Sequence, residues 1–214
     1  QICEAAYNHC QPAIINIPTN GILADTIPET IKEILEKCPK TTIVINVSLD
    51  GVGLMHDEIR RIQGNFDKLL ETYQRLKKLR DEFQNLEIGI HSVVSKFSID
   101  KQLETYEYAK QLEPNSYITE VAEERSELFT INSGITPDPK EYEEFIHELT
   151  KRMKQDSLTP KKVSKTTKAF RLVYYKIAAQ VLKEKKQVIP CYAGYASCQI
   201  TPLGDVWPCC ILGY

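Results

Sequence analysis

The sequence predicts an α/β protein with a parallel sheet covered by helices. Three observations carry that prediction: short runs dense in β-branched residues, an amphipathic helical stretch after each, and turn-forming residues at the joints. ICEAAYNHC, from Ile2 to Cys10, reads as a helix. AIINI, Ala13 to Ile17, is strand-like, and PTNG from Pro18 to Gly21 ends it. In the stretch that follows, Thr26 is expected as N-cap with Pro28 in the first turn, and Ile27, Ile31, Ile34 and Leu35 recur at helical spacing. TIVINVSL, Thr42 to Leu49, is the next strand, and DGVG is expected as a loop. Asn65 to Phe83 then places Phe66, Leu69, Leu70, Tyr73, Leu76 and Leu79 on one stripe. Leu86 to Val94 is a third strand, Ile99 to Leu112 a third such helix, and Ser116 to Val121 a fourth strand.

After Glu123 the alternation stops. Pro137 to Pro139 opens a helix running to about Met153, the polar link SLTPKKVSKTT follows, and a second helix covers about Lys168 to Lys186. From Val188 the chain turns to cysteine, glycine and aromatic residues, so a boundary is expected near Gln187, with a body over 1–187 and a small module over 188–214. The strands alone fit an open doubly wound sheet or part of a barrel. In both, ligand groups lie at the carboxyl ends of strands, which selects TNG, SLDG and SVVSK.

With 27 basic against 29 acidic residues and a formal charge of -2, the composition offers no support for general nucleic-acid binding. Basic residues crowd Lys151 to Lys186, among them Lys161, Lys162, Lys165, Lys168 and Lys183, and read as a solvated helix face with its connecting loop. No run of 18 apolar residues and no signal-peptide pattern occurs in the sequence, and the expectation is a cytoplasmic protein with no membrane span.

Four of the seven cysteines, Cys191, Cys198, Cys209 and Cys210, fall in the last 24 residues. A cytoplasmic chain has little use for disulfides, so this density reads as a metal or iron-sulfur site, thiolates being soft ligands for either zinc or iron-sulfur clusters. No CxxC pair marks a self-contained zinc knuckle. QITPLGDVW is expected as a hairpin turning at Pro202 to Asp205, which brings Cys191 or Cys198 near Cys209. Cys3, Cys10 and Cys38 sit in helix-like apolar patterns and are expected in the core.

INIPTNG (Ile15 to Gly21), INVSLDG (Ile45 to Gly51), HDEIR (His56 to Arg60) with Gly64, GIHSVVSK (Gly89 to Lys96) and CYAGYASCQITPLGDVWPC (Cys191 to Cys209) occur in this order. In that order and spacing the chain resembles radical-SAM enzymes carrying an auxiliary-cluster extension of the SPASM or twitch type. The resemblance implies a partial (β/α)6 barrel, here incomplete and followed by the start of a cysteine-rich hairpin module. It implies a 4Fe-4S cluster, held by a CxxxCxxC loop, that reductively cleaves S-adenosylmethionine to a 5'-deoxyadenosyl radical for hydrogen abstraction. The sequence contains no CxxxCxxC. By this resemblance it starts at the helix before the third barrel strand and stops before the last auxiliary-cluster ligands, so the expectation is a fragment, inert alone and prone to self-association through uncovered edges.

The same resemblance assigns Ser48 and Arg60 to S-adenosylmethionine, Arg60 through the methionine carboxylate, with surface pairing to Asp57 or Glu58 as the alternative. Asn20 is expected at the ribose or in loop organisation, Asp50 at the cofactor or substrate or in an Asx-turn, and Val94 on the strand passing the adenine, where barrel packing explains it equally. Cys191 and Cys209 are expected as auxiliary-cluster ligands, with Cys198 and Cys210 as further candidates. The implied partners are a substrate, in this family often a peptide or protein, and a reductant. A zinc-stabilised α/β binding protein without redox chemistry is the competing reading.

Overall fold

The computed structural model describes residues 1–155 and 165–209, without the side chains of residues 127 and 165–168. Helix α1 (Ile2–Cys10) leads to β1 (Ile14–Thr19), α2 (Thr26–Lys37), β2 (Thr42–Ser48), α3 (Leu54–Arg60), α4 (Asn65–Glu82) and β3 (Leu86–Val94). One turn of 3-10 helix (Ile99–Lys101) runs into α5 (Gln102–Gln111), followed by β4 (Ser116–Val121), α6 (Pro139–Gln155) and α7 (Lys165–Glu184). The hairpin β5 (Gln199–Ile200) and β6 (Val206–Trp207) closes the described chain and is antiparallel, as QITPLGDVW predicts.

The four long strands form one parallel sheet in the order β1-β2-β3-β4, so each new strand adds beside the last. Its two faces differ. Ile43, Ile45 and Val47 of β2, Ile88, Ile90 and Val94 of β3 and Tyr117 of β4 share one face with the buried Ile31 and Leu35 of α2, Leu69, Tyr73 and Leu76 of α4 and Tyr106 of α5. Tyr106 meets Tyr117 edge-on at 5.0 Å between centroids. Burying these side chains drives assembly, each contributing about 1.5–3 kcal/mol before the entropy of ordering is counted. The opposite face carries Asn46 and Ser48 of β2, Gly89 and His91 of β3, and Ser116 and Glu120 of β4. Asn46 donates to Asn16 Oδ1 at 3.0 Å across this polar face. Gly89 makes room there: a Cβ would stand 2.2 Å from Asn46 Oδ1 and 2.8 Å from Ser116 Oγ, so both side chains would have to move.

The sheet's two edges are treated differently. Among the described residues β1 pairs only with β2, and it contains Pro18, which has no N–H to offer a further strand. At β4, α7 occupies the edge: Thr119 N–H donates to Tyr175 Oη at 3.1 Å, and Arg171 Nη1 donates to the Tyr117 carbonyl at 2.9 Å. Burial pushes the Tyr175 phenol up to about 12, so it stays protonated. At the middle of β4, helix side chains thus take the groups a further strand would use.

Several local expectations need correction. Thr26 is the first helical residue of α2 and Asp25 its N-cap, with no side-chain cap bond. The stretch after the DGVG loop, expected as a short turn or helix start, is the helix α3. Cys38 is buried, but Cys3 is half-buried and Cys10 exposed, because α1 buries no residue and its carboxyl end is open to solvent. Lys183 pairs with Glu143 at 3.2 Å and Lys186 with Glu184 at 3.0 Å, as a solvated face requires, while Lys161 and Lys162 lie outside the described residues.

Candidate functional site

Residues just beyond the carboxyl ends of β2 and β3 surround a cavity of about 500 Å3, formed by Asp50, Met55, Glu58, Ile59, Arg60, Arg61, Val93, Ser95, Phe97 and Ile135. Its volume lies within the range of small-molecule sites, and its position is the one parallel sheets use for ligands.

Asp50 organises this mouth. Its side chain is buried, with Oδ1 accepting from the Val93 N–H at 2.8 Å and Oδ2 standing 2.7 Å from Arg60 Nε, an ion-pair contact without hydrogen-bond alignment. Its backbone is held too: the Asp50 N–H donates to His56 Nδ1 at 3.2 Å, and Gln102 Nε2 donates to the Asp50 carbonyl at 2.8 Å. Three elements, β3, α3 and α5, thus fix one residue. Burial holds the His56 imidazole below its usual pKa, so it is neutral, and its Nδ1 accepts a hydrogen bond.

Arg60, at the last position of α3, is brought to the cavity by a second carboxylate. Asp57 accepts from the Gly64 N–H at 2.6 Å and the Phe66 N–H at 2.8 Å, capping α4 from α3 and folding the two helices against each other. Those backbone hydrogen bonds, the Phe66 bond first, hold the Asp57 carboxyl below the usual range. The alternative pairing of Arg60 with Asp57 or Glu58 is not formed; Asp50 is its partner. The Nε side of the Arg60 guanidinium faces Asp50, and the residue lines the cavity beside Arg61.

The remaining expected site residues are spread more widely. Asn20 is exposed and its Oδ1 accepts from the Ile22 N–H at 3.1 Å, while Thr19 Oγ1 accepts from the Gly21 N–H at 3.2 Å. Both organise the turn in which Gly21 takes φ +72° close against Leu69. Ser48 is half-buried and level with His91 in the register. His91 Nε2 lies 3.4 Å from Glu120 Oε2, and this contact with the imidazole holds the Glu120 carboxyl down. Val94 belongs to the helix-covered face and is fully buried, so the residue of β3 that meets the cavity is Val93.

Cys191 and Cys198 are exposed and Cys209 is half-buried; Cys210 lies outside the described residues. Gln199 pairs with Trp207, which brings Cys198 and Cys209 to the same end of the hairpin. Among the described residues no three His, Cys, Asp or Glu side chains converge as a metal site would require. No residue from 188 to 209 is buried. Tyr195 and Leu203 are both 90% exposed, so the described part of the module has no apolar core.

His56 as a backbone acceptor and Gln102 as the clamp on Asp50 were not foreseen as site residues. His56 has a local signal, since a histidine six residues after Asp50 reaches back across one helical turn. Gln102 has none, standing 52 residues from its partner.

This geometry defines a mixed α/β protein with a central parallel sheet flanked by helices and a ligand-sized cavity at the carboxyl ends of its strands. No protein-family model and no curated protein matches the chain. Among the described residues, no helix is long and apolar enough to cross a membrane.

Proposed function

We propose that this chain is the rear part of a radical-SAM enzyme: barrel strands three to six, followed by the start of an auxiliary iron-sulfur module. One observation carries the reading: Asp50, Arg60 and Val93, from the SLDG, HDEIR and SVVSK stretches, converge on one cavity at the carboxyl end of the sheet. Strictly sequential strand order supports it, since a barrel segment adds strands in one direction whereas a doubly wound sheet reverses at a switch point. So does the polarity of the sheet: the helix-covered face is apolar, and the other bears Asn46, Ser48, His91, Ser116 and Glu120, suited to line an interior that receives polar ligands.

In this reading the Arg60 guanidinium, steadied at Nε by Asp50, presents its terminal nitrogens to the methionine carboxylate of S-adenosylmethionine in a forked pair. Asp50 also ties the loop after β2 to β3, so the arginine and the apolar wall at Val93 keep one spacing. The Ser48 hydroxyl serves the ribose from the polar face, and Asn20 shapes the neighbouring turn. Bound and reduced with its cluster, S-adenosylmethionine supplies a 5'-deoxyadenosyl radical. The CxxxCxxC that would hold that cluster is not in this sequence, and no residue of the chain is assigned a step in radical formation.

The coreless module supports a metal requirement. A segment this short that buries nothing gains no stability from the hydrophobic effect and needs a staple, and three described cysteines offer thiolates for one. The donors fit iron-sulfur or zinc by chemistry. A peptide or protein substrate and an external reductant belong to this reading.

The test is anoxic iron, sulfide and zinc content per chain, measured on this chain and on the same gene extended in both directions. The reading expects about eight or more irons with matching sulfide in the extended protein, two 4Fe-4S clusters at least, and few in this chain. Zinc as the sole stoichiometric metal in both would replace it with the zinc-stabilised binding protein.

A further inference from the structure

We propose that Cys3 and Cys38 are a reversible thiol pair whose disulfide fastens α1 to α2. The two helices meet at adjacent positions. Glu4 accepts from Lys37 Nζ at 3.0 Å, and one residue along on each side the Cys38 thiol donates to the Cys3 carbonyl at 3.7 Å. Both cysteines line one cavity of about 330 Å3, together with Glu4, Glu33, Ile34 and Lys37. The cavity admits a small disulfide reagent and leaves the side chains room to change rotamer. Neither thiol belongs to the ligand cavity or to the cysteine-rich module.

The two thiols differ in a way that orders the reaction. Cys38 is fully buried, and burial pushes its thiol up, which keeps it protonated and slow to attack. Cys3 is half-exposed and reacts first. Its thiolate attacks one sulfur of a low-molecular-weight disulfide such as oxidised glutathione, forming a mixed disulfide and releasing one glutathione thiolate. Cys38 then loses its proton to water and attacks the Cys3 sulfur, expelling the second glutathione. Two protein thiols are oxidised by two electrons, and one glutathione disulfide becomes two glutathione thiols.

The consequence falls on α1. That helix has no fully buried side chain; Cys3 and Tyr7 pack partly against the core, and the surface pair Glu4–Lys37 and the sulfur contact join it to α2. An exposed ion pair holds little and the packing of Cys3 and Tyr7 is partial, so in the reduced chain α1 opens before the buried core does, and the covalent link opposes that opening. In a reducing cytoplasm such a link is transient and reports oxidation.

The experiment exposes the reduced chain to a series of oxidised-to-reduced glutathione ratios under anoxic conditions, blocks remaining thiols, and maps the peptides by mass spectrometry beside amide exchange of α1. The expected result is a Cys3–Cys38 linked peptide as the first disulfide formed, with exchange in α1 slowed at least about ten-fold. In Cys38→Ser, glutathione should remain on Cys3. In Cys3→Ser, Cys38 should stay unmodified, and this half-exposed substitution leaves the core untouched should Cys38→Ser fold poorly. Persistent glutathione on Cys3 of the unaltered chain, or Cys3 linked to Cys10 or a module cysteine as readily as to Cys38, overturns the proposal.

Discussion

Replacing Asp50 by alanine tests how the mouth of the sheet is built. The carboxylate is 4% exposed and has two partners, the Val93 N–H at 2.8 Å and Arg60 Nε at 2.7 Å. Removing it leaves a backbone donor of β3 unpaired in a buried place, a loss of about 1–3 kcal/mol. It also strips a partner from Arg60, whose side chain is 29% exposed. Water reaches that guanidinium, so the 3–5 kcal/mol of a fully buried broken pair is discounted to about 1 kcal/mol. The expected total is about 2–4 kcal/mol, read as a lowered urea midpoint at unchanged slope. Asp50→Asn keeps an acceptor for Val93 and should lose only about 1–2 kcal/mol. In a double-mutant cycle with Arg60→Met, the coupling should be about 0.5–1.5 kcal/mol. A change below about 0.5 kcal/mol in Asp50→Ala would refute the role of this carboxylate as the tie between the loop after β2 and β3.

Gly89→Ala should destabilise by about 1–3 kcal/mol, since its Cβ would collide with Asn46 Oδ1 at 2.2 Å; unchanged thermal unfolding would contradict that packing. Tyr175→Phe takes the acceptor from the Thr119 N–H, costing about 1–3 kcal/mol and freeing part of the β4 edge, so light scattering should detect more self-association than in the unaltered chain. His56 is buried with its pKa held below 6.5, so the unfolded chain takes up a proton first as pH falls. Stability is then full above about pH 6.5 and declines as pH falls towards the folded value, and His56→Gln should flatten that decline in urea midpoints measured between pH 7 and about pH 5. Glu120 has the same sign at lower pH: its stabilisation is present above about pH 4.5 and fades as pH falls through its lowered folded value, a slope that His91→Gln should reduce.

How much was legible depended on how local each cause was. β3 and β4 were read to the residue because β-branched runs with sharp boundaries leave no other period to fit. The stripe of α4 was legible for the same reason, with Leu69, Tyr73 and Leu76 buried as its spacing requires. α3 was legible only as a short turn or helix start, because seven residues present too few turns for a periodic signal. Cys10 was misread because an apolar pattern states which face a helix offers, while burial depends on whether a neighbour covers it. Val94 and Val93 differ by one place on β3, and only the strand's facing decides which meets the cavity. The candidate site shows the same limit. SLDG and HDEIR pointed to Asp50 and Arg60, but their mutual pairing and the clamp from Gln102 come from tertiary closure and leave no mark on local sequence. The hairpin near Cys198 and Cys209 was legible from its turn residues.

The central claim is that the Asp50–Arg60 cavity receives S-adenosylmethionine in a radical enzyme. The most direct measurement is release of 5'-deoxyadenosine from S-adenosylmethionine by the gene product extended in both directions, reconstituted with iron and sulfide and reduced under anoxic conditions. The account predicts 5'-deoxyadenosine and methionine in equal amounts, with Arg60→Met raising the S-adenosylmethionine concentration needed by about ten-fold or more while the iron content stays unchanged. An extended protein that binds its full iron yet forms no 5'-deoxyadenosine, or an Arg60→Met variant indistinguishable from the unaltered protein, would contradict it.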